Sequence, residues 1–113
     1  MVASITPQQL SILINQPSPP IVLDVRRTEA FDASPHMLPA SLRRDPDTVD
    51  QWIGTLEPDR QIVVYCVHGH EVSQGVAAAL AAAGFDVRFL AGGIEDWVAA
   101  GLPTGEKHSG AGR

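Results

Sequence analysis

The sequence predicts an α/β domain with a central parallel sheet flanked by helices, and three observations carry that prediction. Short apolar runs rich in β-branched residues recur at 21–25 (I-V-L-D-V), 61–65 (Q-I-V-V-Y) and 87–90 (V-R-F-L). The runs at 21–25 and 61–65 are nearly continuous rather than alternating, as in strands buried on both faces. Segments with helical periodicity separate the runs, and strand–helix alternation is the pattern of parallel strands joined by right-handed crossovers. The 113 residues are enough for one core and too few for two domains.

The first helix starts at Thr6-Pro7-Gln8-Gln9. Thr6 can cap it, Pro7 suits the first turn, and Gln9 stands where a capping box wants Glu or Gln. Leu10, Leu13 and Ile14 share its inner face, and Pro17, Pro19 and Pro20 stop it. After the strand at 21–25, residues 26–42 read as loop, with one helical turn near 28–31. Asp45-Pro46 opens a second helix that places Val49, Trp52, Ile53 and Leu56 at i, i+3, i+4 and i+7. The strand at 61–65 runs into Cys66 and the loop Val67-His68-Gly69-His70. An alanine-rich helix follows, from Glu71 to Ser73 at its start to Ala83, with Val76, Ala77 and Leu80 inward, and Gly84 ends it. The strand at 87–90 leads through Gly92-Gly93 to a short helix carrying Ile94, Trp97 and Val98, stopped at Gly101-Leu102-Pro103. Residues 1–103 are thus expected to form the domain and 104–113 a flexible tail. Trp52 and Trp97 read as core anchors, and His36, between two prolines, as structural.

Composition narrows the function. A formal charge of −5 without a basic cluster argues against nucleic acid as partner. No apolar run reaches the length of a membrane span. A lone cysteine excludes an internal disulfide and a cysteine-rich zinc site. With no secretory signal at the N-terminus, the expected compartment is the cytoplasm.

Ligands of parallel sheets gather at the carboxyl ends of the strands. Cys66 stands at one such end; Asp24, Arg26 and Arg27 stand at another. A thiol becomes a nucleophile as the thiolate. The helix N-terminus after the loop favours an anion, and Gly69 lets successive amides turn inward as a nest. Protonated His68 or His70 would add positive charge, whereas the Glu71 carboxylate would oppose the anion. The plainer alternative is that Cys66 fills space at the end of a core strand; its place in a Gly- and His-containing strand-to-helix loop favours function. Cys66, His68 and His70 also form C-x-H-x-H, but three ligands so close together rarely complete a tetrahedral site. The histidines read instead as the rim of a pocket.

Four segments in order resemble the single-domain rhodanese-like sulfurtransferases. Leu23-Asp24-Val25-Arg26 with Glu29-Ala30-Phe31 is similar to the family's D-V-R…E-F. His36-Met37-Leu38-Pro39-Ala40 loosely resembles H-I-P-G-A. Val64-Tyr65-Cys66-Val67-His68-Gly69 resembles the strand and active-site loop. Leu90-Ala91-Gly92-Gly93-Ile94-Glu95-Asp96-Trp97, with Ala100-Gly101-Leu102-Pro103, matches L-x-G-G…W…A-G-L-P. The resemblance implies a three-layer domain in which Cys66 takes a sulfane sulfur from a donor such as thiosulfate or a persulfide, forming Cys-S-SH. Loop residues Val67, His68, Gly69, His70, Glu71, Val72 and Ser73 would cradle the sulfur. A thiol or cyanide would then accept it, in two covalent steps. Asp24, with Arg26 and Arg27, would organise the surroundings. No cofactor or metal is implied. The partners are small molecules, with a protein persulfide as a further candidate.

The chain departs from the family's C-R-x-G-x-R: Val67 and Glu71 stand where arginines are common. Arg26, Arg27 or His70 are the candidates to replace those cations, and the orientation of Glu71 is open. The Cys66-to-Gly84 spacing is one residue longer than usual. A longer loop is similar to that of phosphatases and arsenate reductases of this fold, but Val72 occupies the place of their anion-clamping arginine. A sulfur carrier or redox sensor without turnover is the other alternative.

Overall fold

In the computed structural model, which describes residues 2–106, five parallel strands form the central sheet in the order β1–β6–β5–β2–β4. β2 (Ile21–Asp24), β5 (Ile62–Tyr65) and β6 (Val87–Leu90) make its centre, as their apolar runs predict. The edges are β1 (Ala3–Ile5), paired with β6, and β4 (Leu42–Arg43), paired with β2. Neither edge was expected from the sequence. At three and two residues they are too short to show a period, and only their partners make them strands.

Alternate residues of β5 feed opposite layers. Val63 and Tyr65 join Ile5, Leu10, Val22, Leu38, Leu90, Ile94 and Trp97 in one core. Ile62 and Val64 join Leu23, Val25, Trp52, Val76, Ala77, Leu80 and Val87 in the other. Helices α1 (Pro7–Leu13) and α5 (Gly93–Ala99) cover the first face; α3 (Val49–Trp52) and α4 (Glu71–Ala82) cover the second. The result is the expected three-layer arrangement.

Local signals hold where they are chemically specific. Thr6 accepts from the Gln9 amide while the Gln9 side chain accepts from the Thr6 amide, completing the capping box. Gly84, at φ +96°, ends α4. The turn near residue 28 is a fuller helix, α2 (Thr28–Ala33). The helix expected from Asp45 is instead a 3-10 turn at Pro46–Thr48, the single-turn α3, and a second 3-10 turn at Ile53–Thr55. Thr48, Val49, Asp50, Gly54 and Thr55 are poor helix formers, and the Trp52 indole donates to the Asp45 carbonyl at 2.8 Å, closing the segment on itself. Trp52 is still buried, and Val49, Ile53 and Leu56 pack against its cluster. Of the apolar residues that α5 carries, Ile94 and Trp97 are buried and Val98 is 47% exposed.

Residues 104–106, the first of the expected tail, are among the described residues. β7 (Gly105–Glu106) pairs antiparallel with β3 (His36–Met37), and the Trp97 indole holds the Pro103 carbonyl at 2.8 Å. Residues 105–106 are therefore paired with a segment 68 to 70 positions earlier, which no local signal announces. Residues 107–113, and Met1, lie outside the described residues. No helix among the described residues is long and apolar enough to cross a membrane.

Candidate active site

Cys66 directly follows β5, and the loop 67–70 carries the chain from the strand to α4. Cys66 is buried, 6% exposed, and its sulfur lies 3.1 Å from the Ser73 hydroxyl. Ser73 was grouped with the loop; it is in fact a buried residue of the first turn of α4, whose first residues are Glu71 and Val72. Short of that turn, the amides of residues 67–70 donate to no acceptor among the described residues.

The loop's carbonyls are spoken for. Ile94 N–H donates to the Cys66 carbonyl at 3.0 Å, and Glu95 N–H to the Val67 carbonyl at 3.1 Å. These two donors come from the first turn of α5, where a helix has amides to spare. The Gln74 side chain donates to the Gly69 carbonyl at 2.9 Å. With the carbonyls of Cys66, Val67, Gly69 and, through the Gln74 backbone amide, His70 all accepting, the loop is left with unspent N–H groups, the condition of an anion nest. Two glycines allow the approach. Gly69 has φ +73°, and a Cβ there would lie 2.6 Å from the Leu90 carbonyl oxygen. Gly93 has φ +62°, and a Cβ there would overlap the backbone of Cys66 and Val67.

A cleft of about 250 Å³ opens over the sulfur. Ala30, Val67 and Val72 give it apolar walls; Arg26, Arg27, His68, His70 and Glu71 also border it. Glu71 is exposed and borders both this cleft and the adjoining hollow that Arg27 and Asp47 line. His68 and His70 are exposed on the rim, their ring centroids 6.2 Å apart. Among the described residues no cluster of three or more His, Cys, Asp or Glu is arranged to hold a metal.

Arg26 borders the cleft from within the core. Its side chain is fully buried, in a 2.6 Å ion pair with Asp24, and donates to the His36 carbonyl at 2.9 Å. Asp24 in turn accepts from the Tyr65 hydroxyl at 3.0 Å. Tyr65 also accepts from the Leu38 amide and contacts the Ser41 hydroxyl. This network fastens the carboxyl ends of β2 and β5 to residues 36–41. Burial, and next the Asp24 carboxylate, push the Tyr65 phenol well above its ordinary range. Arg27 reaches the cleft but is paired with Asp47 at 3.1 Å.

Ala30, Gln74, Gly93, Ile94 and Glu95 were not singled out from the sequence as parts of this site. Gly92-Gly93 marked a turn; its abutment on Cys66 arises from two strand-to-loop exits on neighbouring strands, β5 and β6.

Residues 6–100 match the model of the rhodanese-like domain. The chain is 35% identical over 94 residues to the thiosulfate sulfurtransferase GlpE of Pseudomonas syringae pv. syringae, covering 82% of this chain and 84% of that protein. A rhodanese-related protein from Thermoplasma volcanium superposes with a TM-score of 0.79 at 25% identity, over 93% of this chain and 99% of the other. A thiosulfate sulfurtransferase from Pseudomonas aeruginosa superposes with a TM-score of 0.78 at 25% identity, over 98% of this chain and 20% of that larger one. The ordered motifs, the parallel sheet with its cysteine loop and these similarities agree: the chain belongs to the rhodanese-like domain family.

Proposed function

We propose that the protein is a sulfurtransferase that carries a sulfane sulfur as a persulfide on Cys66. One observation carries the reading: the Cys66 sulfur borders an open cleft within a loop whose amides at 67–70 are unspent. Such amides suit a thiolate, and after transfer they suit the outer sulfur of a persulfide anion. In the first step the Cys66 thiolate attacks the sulfane sulfur of the donor. The new S–S bond forms as the donor's own bond to that sulfur breaks, and the donor remnant leaves with the electron pair. In the second step a thiolate or cyanide attacks the outer sulfur and the Cys66 thiolate departs. Sulfur is exchanged between nucleophiles, and no external oxidant enters. The Pseudomonas relatives named as thiosulfate sulfurtransferases support the same reaction class. Phosphoryl or arsenate chemistry finds no clamp, because Val72 forms an apolar wall where such a site needs a guanidinium.

The test is a mass measurement. Reduced protein incubated with thiosulfate, and separately with glutathione persulfide, should gain one sulfur atom on the peptide containing Cys66. Cyanide should remove it, and Cys66→Ser should not acquire it. A Cys66 that can be alkylated yet gains sulfur from neither donor would overturn the reading. Loading without turnover would point to a carrier or sensor.

A further inference from the structure

We infer that the cleft over Cys66 discriminates against small dianionic donors and takes a hydropersulfide whose organic body is apolar and free of negative charge, with Glu71 setting that preference. The inference rests on Cys66 being the sulfur acceptor and names the class of donor it accepts.

The argument is a count of charges at the cleft. Two arginines border it, and neither offers a surplus positive charge. Arg26 is neutralised by Asp24, with both side chains fully buried. Arg27 is neutralised by Asp47 across an exposed pair. Glu71 also borders the cleft, and it joins none of the ion pairs among the described residues. Of the arginines and carboxylates that line the cleft, Glu71 is thus the one that joins no ion pair among the described residues. His68 and His70 are the remaining titratable groups on the rim. Glu95 borders the adjoining depression beyond Ala30 and Val67, so further charge on that side is also negative.

The loop amides serve the sulfur of Cys66 and the sulfur it receives. The rest of the donor must sit further out, against Ala30, Val67 and Val72 and beside Glu71. A sulfonate placed there loses its hydration to apolar walls and stands near the Glu71 carboxylate, while both bordering arginines are already paired. An uncharged organic group gains from the same walls, and about 250 Å³ has room for a small one. With such a donor, R–S–S–H, the Cys66 thiolate attacks the outer sulfur and the donor's S–S bond breaks. Cys66–S–S–H forms, and R–S⁻ leaves with the electron pair and takes a proton from water.

The test compares loading of Cys66 by thiosulfate and by benzyl hydropersulfide, followed as sulfur gain on the Cys66 peptide in the full chain. It is run at pH 8 to keep imidazolium out of the comparison, with wild type, Glu71→Gln and Glu71→Arg. Wild type should load faster from the hydropersulfide. A dianion held about 6 Å from a carboxylate in a water-like dielectric is disfavoured about tenfold. The thiosulfate-to-hydropersulfide rate ratio should therefore rise about tenfold in Glu71→Gln and further in Glu71→Arg. Added salt should speed thiosulfate loading in wild type, because it screens repulsion. An unchanged ratio across the three proteins, or a wild type that prefers thiosulfate, would overturn the inference while leaving sulfur transfer standing. Failure of both donors to load Cys66 in all three would overturn the sulfurtransferase reading itself.

Discussion

Among the described residues the Cys66 sulfur has one side-chain partner, the Ser73 hydroxyl at 3.1 Å. A hydroxyl rotates, so Ser73 can accept from the thiol and, after proton loss, turn to donate to the thiolate. Hydrogen bonds to charged groups are worth more than neutral ones, about 1.5–3 kcal/mol. Ser73→Ala should therefore slow iodoacetamide alkylation of Cys66 at neutral pH by about tenfold, while the far-UV spectrum stays that of wild type. An unaltered alkylation rate would mean that the loop amides alone stabilise the anion. The sequence could nominate Ser73, seven residues after Cys66, but not its direction. That depends on α4 beginning at Glu71, which brings the third residue of the helix back beneath the strand end.

At the scale of elements, the site is a contact between two strand exits. The β5 exit supplies Cys66 and its loop; the β6 exit supplies Gly92, Gly93 and the start of α5. Ile94 and Glu95 amides, which would otherwise lack partners at a helix start, hold the loop's first two carbonyls. Gly93 makes this possible twice over, by its φ of +62° and by its missing side chain. Gly93→Ala should separate α5 from the loop, destabilising the fold by about 1–3 kcal/mol in urea melts. Sulfur loading on Cys66 should fall by more than the lost folded fraction explains. If loading merely follows the folded fraction, the α5 clamp has no part in shaping the nest. Helices with strong local signals are legible in the same chain: the capping box of α1 and the glycine stop of α4 sit where the residues announce them. The segment at 46–55 is not, because its apolar spacing is helical while its residues are poor helix formers, so packing of Trp52 decides its path.

At the scale of the whole molecule, the network of Asp24, Arg26, Tyr65, Leu38 and Ser41 joins two central strands to the segment that carries β3. Its titration has a defined sign. The phenol of Tyr65 is held protonated in the fold well above its ordinary value of 10.0. The stabilisation this confers is complete below about pH 10 and is lost as the pH rises beyond it. Tyr65 is the chain's one tyrosine, so the event can be read directly. Tyrosinate absorbance should appear only as the protein unfolds. The urea midpoint of wild type should fall between about pH 9.5 and 11 more steeply than that of Tyr65→Phe. Tyrosinate forming in the folded protein near its ordinary pH would show the network to be open to water.

By itself the sequence determined the class of fold, the three central strands and the position of Cys66 at the end of one of them. Those features follow from continuous apolar runs, turn glycines and caps, which act over a few residues. The order of motifs likewise made the family legible. Only the tertiary structure decided the two short edge strands, the pairing of β3 with β7, the burial of Arg26 in its pair with Asp24 and the place of Glu71 at the edge of the cleft. Each of these joins residues distant in the chain or fixes the direction of one side chain. A two-residue strand has no period to read, and a charged residue beside a strand end can face its neighbours or the solvent. What settles the matter is which partners the packed sheet brings within hydrogen-bonding reach.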